Sequence, residues 1–154
     1  MAAGVAWLDF DSDGLLDLFL VKGTALADPV PKGKLPDKSA PRYWNRLYRN
    51  TGHEKFVDVT EQAGLQGNGY SMGVAVGDYD NDGKPDLYIP ILEGTCSVTT
   101  QVTDGARVAG SGWSTGGAFL DYDRDGYLDF AICSLTRRVS GMIWSFESRK
   151  TTYL

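Results

Sequence analysis

Residues 73–89 read Gly73-VAVGDYDNDGKPDLYI, and the fold follows from this stretch. A short apolar segment leads into Asp78, Asp80, Asp82 and Asp86, with Gly83 among them, and Leu87-Tyr-Ile89 resumes the apolar character. The same frame stands at Gly4-VAWLDFDSDGLLDLFL and at Gly116-GAFLDYDRDGYLDFAI. In every copy the glycine falls five residues before the first aspartate, and the pattern is Asp-aromatic-Asp-x-Asp-Gly-x-x-Asp. Between the second and third copies the match extends backwards without a gap. Val59-Thr60 aligns with Val102-Thr103, Ala63 with Ala106, and GNGYSMG with GSGWSTG. Self-similarity of this kind marks tandem structural units.

The flanks of each Asp window read as strands. Gly4 to Leu8 and its equivalents are short and apolar. Leu18-Phe-Leu-Val21, Leu87-Tyr-Ile89 and Phe130-Ala-Ile132 are continuous apolar runs, as in strands covered on both faces. In the first repeat a Pro-rich excursion from Thr24 to Pro41 reads as a loop. It is followed by Asn45-Arg-Leu-Tyr-Arg-Asn50, a turn at Thr51-Gly52-His53, and Lys55-Phe-Val-Asp-Val59, which are two further strands. One repeat thus supplies four strands, which is one propeller blade.

The expected fold class is all-β: a partial β-propeller of tandem four-stranded antiparallel blades. Blade 1 covers about 1–66, blade 2 about 67–109 and a partial blade 3 about 110–135, with 136–154 an unassigned tail. The second repeat lacks the stretch equivalent to the excursion and the Asn45–Asn50 strand, so the middle blade is expected to be a strand short. A turn of helix near Thr60 to Ala63 is the only helical piece expected.

Each window sets side-chain oxygens at loop positions 1, 3, 5 and 9: Asp9, Asp11, Asp13 and Asp17; Asp78, Asp80, Asp82 and Asp86; Asp121, Asp123, Asp125 and Asp129. Position 7 (Leu15, Lys84 or Tyr127) would add a backbone carbonyl, and the glycine at position 6 permits the sharp turn that wraps a chain round an ion. Two carboxylates about 4 Å apart repel by roughly 4 kcal/mol at an effective dielectric of 20. Four on one nine-residue turn therefore call for a cation. Oxygen donors without His or Cys select calcium, magnesium or manganese over zinc or copper, and calcium best tolerates a cage made by the protein. Up to three Ca2+ ions are expected. An EF-hand would need Glu at position 12, where Leu20, Ile89 and Ile132 stand, and would need helices as flanks.

Charge distribution points the same way. The net charge is −5, yet twelve of the twenty acidic residues lie in the three windows and the other eight face fifteen Lys and Arg. The bases are not clustered or interleaved with aromatics as nucleic-acid binding requires. Nineteen glycines against six prolines suit tight turns between short strands. No apolar run approaches the ~20 residues of a membrane span, and no basic region followed by an apolar stretch marks a signal peptide at Met1-Ala2-Ala3-Gly4. Cys96 and Cys133 have no CxxC spacing, so they are either a disulfide of an exported protein or two separate thiols.

The Asp loops with their flanking strands, together with NRLYRNTGHEKFVDVTEQAGL (45–65), resemble the FG-GAP/VCBS repeats of integrin-α-type propellers, in particular the bacterial ASPIC/UnbV-associated and cartilage-acidic-protein-like group. The resemblance covers about residues 1–133. It implies calcium at the Asp positions named above, seven or eight blades in full-length members, and an extracellular, cell-surface or periplasmic setting. The short second repeat and the unmatched tail depart from that pattern.

Two motifs imitate a nucleophile elbow: Gly69-Tyr-Ser71-Met-Gly73 and Gly112-Trp-Ser114-Thr-Gly116. That elbow needs a strand-to-helix turn and a histidine after the serine, whereas His53 precedes both serines and a strand follows each motif. Trp7, Val76 and Phe119 share one column, expected in the core or between blades, and Asn45 and Arg46 to Arg49 are expected at a blade edge. The reading is a non-enzymatic binding or adhesion scaffold whose calcium stiffens the hairpins and whose ligand is a protein or glycan. A fragment of a secreted polysaccharide-processing propeller enzyme is the alternative. Further blades in a longer parent, or self-association, are expected to cover the apolar faces of an open arc.

Overall fold

The computed structural model describes residues 2–25, 36–91, 97–99, 113–138 and 141–149. The described residues are all-β, arranged as three antiparallel sheets. The first sheet contains β1 (Ala2–Leu8), β2 (Asp17–Lys22), β3 (Arg46–Asn50) and β4 (Phe56–Asp58), paired in chain order. The second contains β5 (Ala75–Gly77), β6 (Asp86–Ile89) and β7 (Ser97–Thr99). The third contains β8 (Trp113–Leu120), β9 (Asp129–Arg138) and β10 (Gly141–Arg149), with β9 central. Each Asp window is the hairpin connection between the first two strands of its sheet: Leu8 pairs with Asp17, Gly77 with Asp86 and Leu120 with Asp129. The architecture is a partial propeller, as the repeat requires.

Alternation along these hairpins decides how the blades stack. Ala6, Leu8, Phe19, Val21 and Leu47 of the first sheet form one buried cluster with Leu87 and Ile89 of the second, and Val74 and Val76 pack against it. The opposite face of the second sheet meets the third. There Tyr88 lies 4.1 Å from Phe130 between ring centroids, and Tyr79 lies 6.1 Å from Phe119. Gly77 makes this approach possible, because a methyl group there would come within 2.7 Å of the Phe119 ring. β6 is therefore buried at every residue, whereas β2 alternates buried with half-exposed, since among the described residues only one face of the first sheet is covered.

Beyond 135, in the stretch the sequence left unassigned, β9 runs on to Arg138, and β10 pairs with it from Gly141↔Arg138 to Arg149↔Phe130. The third sheet thus takes its outer strand from residues that carry no part of the Asp motif. Trp7 is not in the core. It is 54% exposed and leans on Phe56, at 6.4 Å between centroids.

The expectation of a blade edge at Asn45 to Arg49 is corrected: β3 lies between β2 and β4, and Asn45 is fully buried. The second sheet shows three strands among the described residues. One turn closes at Thr60 to Leu65, through Ala63 N–H to Val59 O at 3.0 Å and Leu65 N–H to Thr60 O at 3.0 Å. A 3-10 turn at Pro41–Tyr43 ends the excursion. Cys96 and the matched positions Val102, Thr103 and Ala106 lie outside the described residues.

Candidate metal-binding loops

The three windows share a common set of loop bonds. The position-1 carboxylate is the hub. Asp9 Oδ1 accepts the Asp13 N–H at 3.0 Å and its Oδ2 accepts the Gly14 N–H at 2.9 Å. Asp78 takes the N–H groups of Asp82 and Gly83 at 3.0 and 2.9 Å, and Asp121 those of Asp125 and Gly126 at 3.1 and 3.1 Å. The position-5 carboxylate then accepts the N–H of position 7: Leu15 donates to Asp13 at 2.8 Å, Lys84 to Asp82 at 2.8 Å and Tyr127 to Asp125 at 2.9 Å. These short-range bonds are Asx-type turns, and they explain why aspartate rather than glutamate occupies the positions.

Backbone dihedrals repeat as well. Ser12, Asn81 and Arg124 at position 4 have φ of 60°, 56° and 62°, and Gly14, Gly83 and Gly126 have 84°, 84° and 87°. Two left-handed residues in three tighten the hairpin so that successive carboxylates converge instead of alternating as in a strand.

The position-9 aspartates are buried, unlike the rest. Asp17, Asp86 and Asp129 accept the N–H of Phe10, Tyr79 and Tyr122 at 2.8, 2.8 and 2.9 Å, closing each loop across seven residues. Asp17 also accepts the Asn50 N–H at 2.7 Å, and the Asn50 side-chain amide donates to the Leu16 carbonyl at 3.1 Å. Asp86 is pushed above the usual carboxylate range, mainly by burial, opposed by the Tyr79 N–H and reinforced by repulsion from Asp80, Asp82 and Asp78.

Convergence differs among the loops. One oxygen from each of Asp9, Asp11 and Asp13 lies within 4.8 Å of the others, and the same holds for Asp78, Asp80 and Asp86, and for Asp121, Asp123 and Asp129. Asp17, Asp82 and Asp125 stand outside these triplets. Asp17 is held on two N–H groups, and the Asp82 carboxylate is 3.6 Å from Lys84 Nζ. Leu15, Lys84 and Tyr127 lie exposed at the loop tips. The donor set fits a hard divalent cation, since all nine clustered groups are carboxylates.

Ser71 is buried and bridges to Ile91, its Oγ without a hydrogen-bond partner among the described residues, while Ser114 lies within β8. His53 sits exposed in the β3–β4 turn at φ 53°. Arg46 donates to the Pro41 carbonyl at 2.7 Å, pairs with Asp58 at 3.7 Å and lies over the Trp44 ring. Arg49 pairs with Asp11 at 3.7 Å.

Sequence reasoning missed the buried ties beneath the first blade. Asn45 Oδ1 accepts the Lys22 N–H at 3.0 Å and Lys38 Nζ at 2.8 Å, and Lys38 Nζ also donates to the Lys22 carbonyl at 2.6 Å. The signal for Asn45 was its place beside a strand, but nothing in the Pro-rich excursion marked Lys38 as its partner.

No curated protein matches the sequence. The FG-GAP-like repeat family matches residues 9–89, more than half of the chain, from the first Asp window through β6. The bonds that the Asp121–Asp129 hairpin shares with the other two make it a third copy of the same hairpin. The chain belongs to the FG-GAP-like repeat family.

Proposed function

We propose that the chain is a calcium-binding propeller module that serves as an extracellular binding or adhesion scaffold and is not itself an enzyme. The observation that carries the calcium reading is that each of the three turns gathers three carboxylate oxygens within 4.8 Å of one another, from positions 1, 3 and 5 in the first loop and from 1, 3 and 9 in the other two. Asp9, Asp11 and Asp13, then Asp78, Asp80 and Asp86, then Asp121, Asp123 and Asp129 would hold the ions. The position-7 carbonyls of Leu15, Lys84 and Tyr127 and the remaining aspartates would complete the shells. A bound ion would cancel the carboxylate repulsion and stiffen each hairpin.

The scaffold reading is supported by what the polar residues outside the loops do: Ser71, Asn45, Arg46 and Arg49 are engaged in packing or in ties to neighbouring strands. An exposed propeller face would then meet a protein or glycan ligand, with no nucleic acid involved. No helix among the described residues is long and apolar enough to cross a membrane.

Thermal melting with chelator, calcium or magnesium tests this proposal. Calcium at a hundredfold excess over Kd stabilises by about 2.7 kcal/mol per site that binds only the folded state. A melting temperature that rises with calcium and much less with magnesium is the expected result. Equal melting under all three conditions would refute calcium binding.

A further inference from the structure

Strand β3 reaches the first Asp loop with two consecutive residues, and each takes up one of its carboxylates. The Arg49 guanidinium lies 3.7 Å from Asp11 Oδ2, and the Asn50 N–H donates to Asp17 Oδ1 at 2.7 Å. Register explains both contacts. β3 pairs with β2 from Leu20↔Arg46 to Leu18↔Tyr48, which brings Arg49 and Asn50 level with Asp17 and the loop that precedes it.

These contacts set the first loop apart from the second. In the second the converging oxygens come from Asp78, Asp80 and Asp86, and the Lys84 ammonium sits 3.6 Å from Asp82, outside that triplet. In the first they come from Asp9, Asp11 and Asp13, and the Arg49 guanidinium rests on Asp11, inside the triplet. Asp17, whose equivalents Asp86 and Asp129 belong to the other triplets, is held on the N–H groups of Phe10 and Asn50. The first loop thus carries a cation of its own on one of its three gathered carboxylates.

We propose that Arg49 sets the calcium affinity of the first loop and makes it a weaker site than the second. The inference rests on the calcium reading above. The ion pair itself joins side chains that are 45% and 30% exposed and contributes little to stability. Its charge acts on the incoming ion. A unit positive charge about 6 Å from a divalent ion lowers affinity roughly tenfold even at the dielectric of water, and salt screens part of that. Arg49 offers no donor oxygen, so it acts through Asp11 and is a positioning residue. As calcium rises, the second loop fills before the first.

Isothermal titration of the full chain with calcium tests this in variants that keep one of the two loops. Asp80→Ala with Asp123→Ala keeps the first, and Asp11→Ala with Asp123→Ala keeps the second. The second loop is expected to bind the more tightly. Adding Arg49→Gln to the first-loop variant should tighten binding roughly three- to tenfold, whereas Arg49→Lys, which keeps the charge, should leave it near its starting value. In the second-loop variant Arg49→Gln should move the Kd far less. Where a double substitution alters the circular dichroism, wild type is compared with Arg49→Gln alone, and the weakest step of the titration should be the one that tightens. A first-loop Kd unchanged by Arg49→Gln, a first loop that binds nothing with or without Arg49, or a second loop weaker than the first would overturn this inference and leave calcium binding at the second loop standing. No binding by wild type or by the second-loop variant would overturn the calcium reading, and the inference with it.

Discussion

Asp17 accepts the N–H of Asn50, thirty-three residues further along the chain, at 2.7 Å, while its other oxygen holds the Phe10 N–H. One buried carboxylate thus joins the first Asp loop to the end of β3. Asp129 occupies the same loop position, and the bond described for it is to Tyr122. Each buried N–H stranded by mutation costs about 1–3 kcal/mol. Asp17→Ala is therefore expected to destabilise more than Asp129→Ala by roughly one such increment. Urea unfolding of both variants in chelator checks this, and equal losses would contradict it.

The loop glycines carry a different kind of cost. Gly83 and Gly126 stand at φ 84° and 87°, and a methyl group at either meets nothing within 4 Å. Any loss on substitution is conformational. Gly83→Ala and Gly126→Ala are each expected to lose about 1 kcal/mol, with packing intact. A shift in the urea midpoint without a change in slope is the signature, and no shift would count against the loop geometry.

At the second blade interface the constraint is steric. Gly77→Ala drives a methyl group to 2.7 Å from the Phe119 ring, and overpacking of this kind costs about 1–3 kcal/mol. The loss should shrink when Phe119 is also replaced by alanine. A double-mutant cycle measures the coupling. Strict additivity would show that the two residues do not meet.

Lys38 gives the fold a pH dependence. Burial, with repulsion from Lys22, pushes its amine down to about 8 from 10.5. Between those values the unfolded chain binds more protons than the folded one, so this contribution to stability rises with pH. Below about 8 the penalty for the buried charge is fully present. The melting temperature of wild type relative to Lys38→Met, measured in chelator, should therefore increase from pH 7 to 9.5. A constant difference would contradict this.

How far the sequence could be read depended on whether an element repeats. The hairpins around Asp78 and Asp121 were legible because turn chemistry is local and occurs three times. β10 was not, since its Gly141–Arg149 strand lies outside the repeat, although the Met142-Ile-Trp-Ser-Phe146 run has the composition of a strand. Trp7 was misplaced because its column is covered in the other two sheets, at Val76 and Phe119, but stands exposed in the first. The division of carboxylates into triplets was equally hidden. Whether Asp17 faces its loop mates or the Asn50 N–H is decided by a strand more than thirty residues away.

Isothermal titration of chelator-treated protein with calcium tests the central claim most directly. Saturable binding in the micromolar to millimolar range, as in extracellular calcium modules, is expected. The stoichiometry should reach up to three, and Asp80→Ala should remove one site and leave the others. No heat of binding up to ~10 mM calcium would contradict the account.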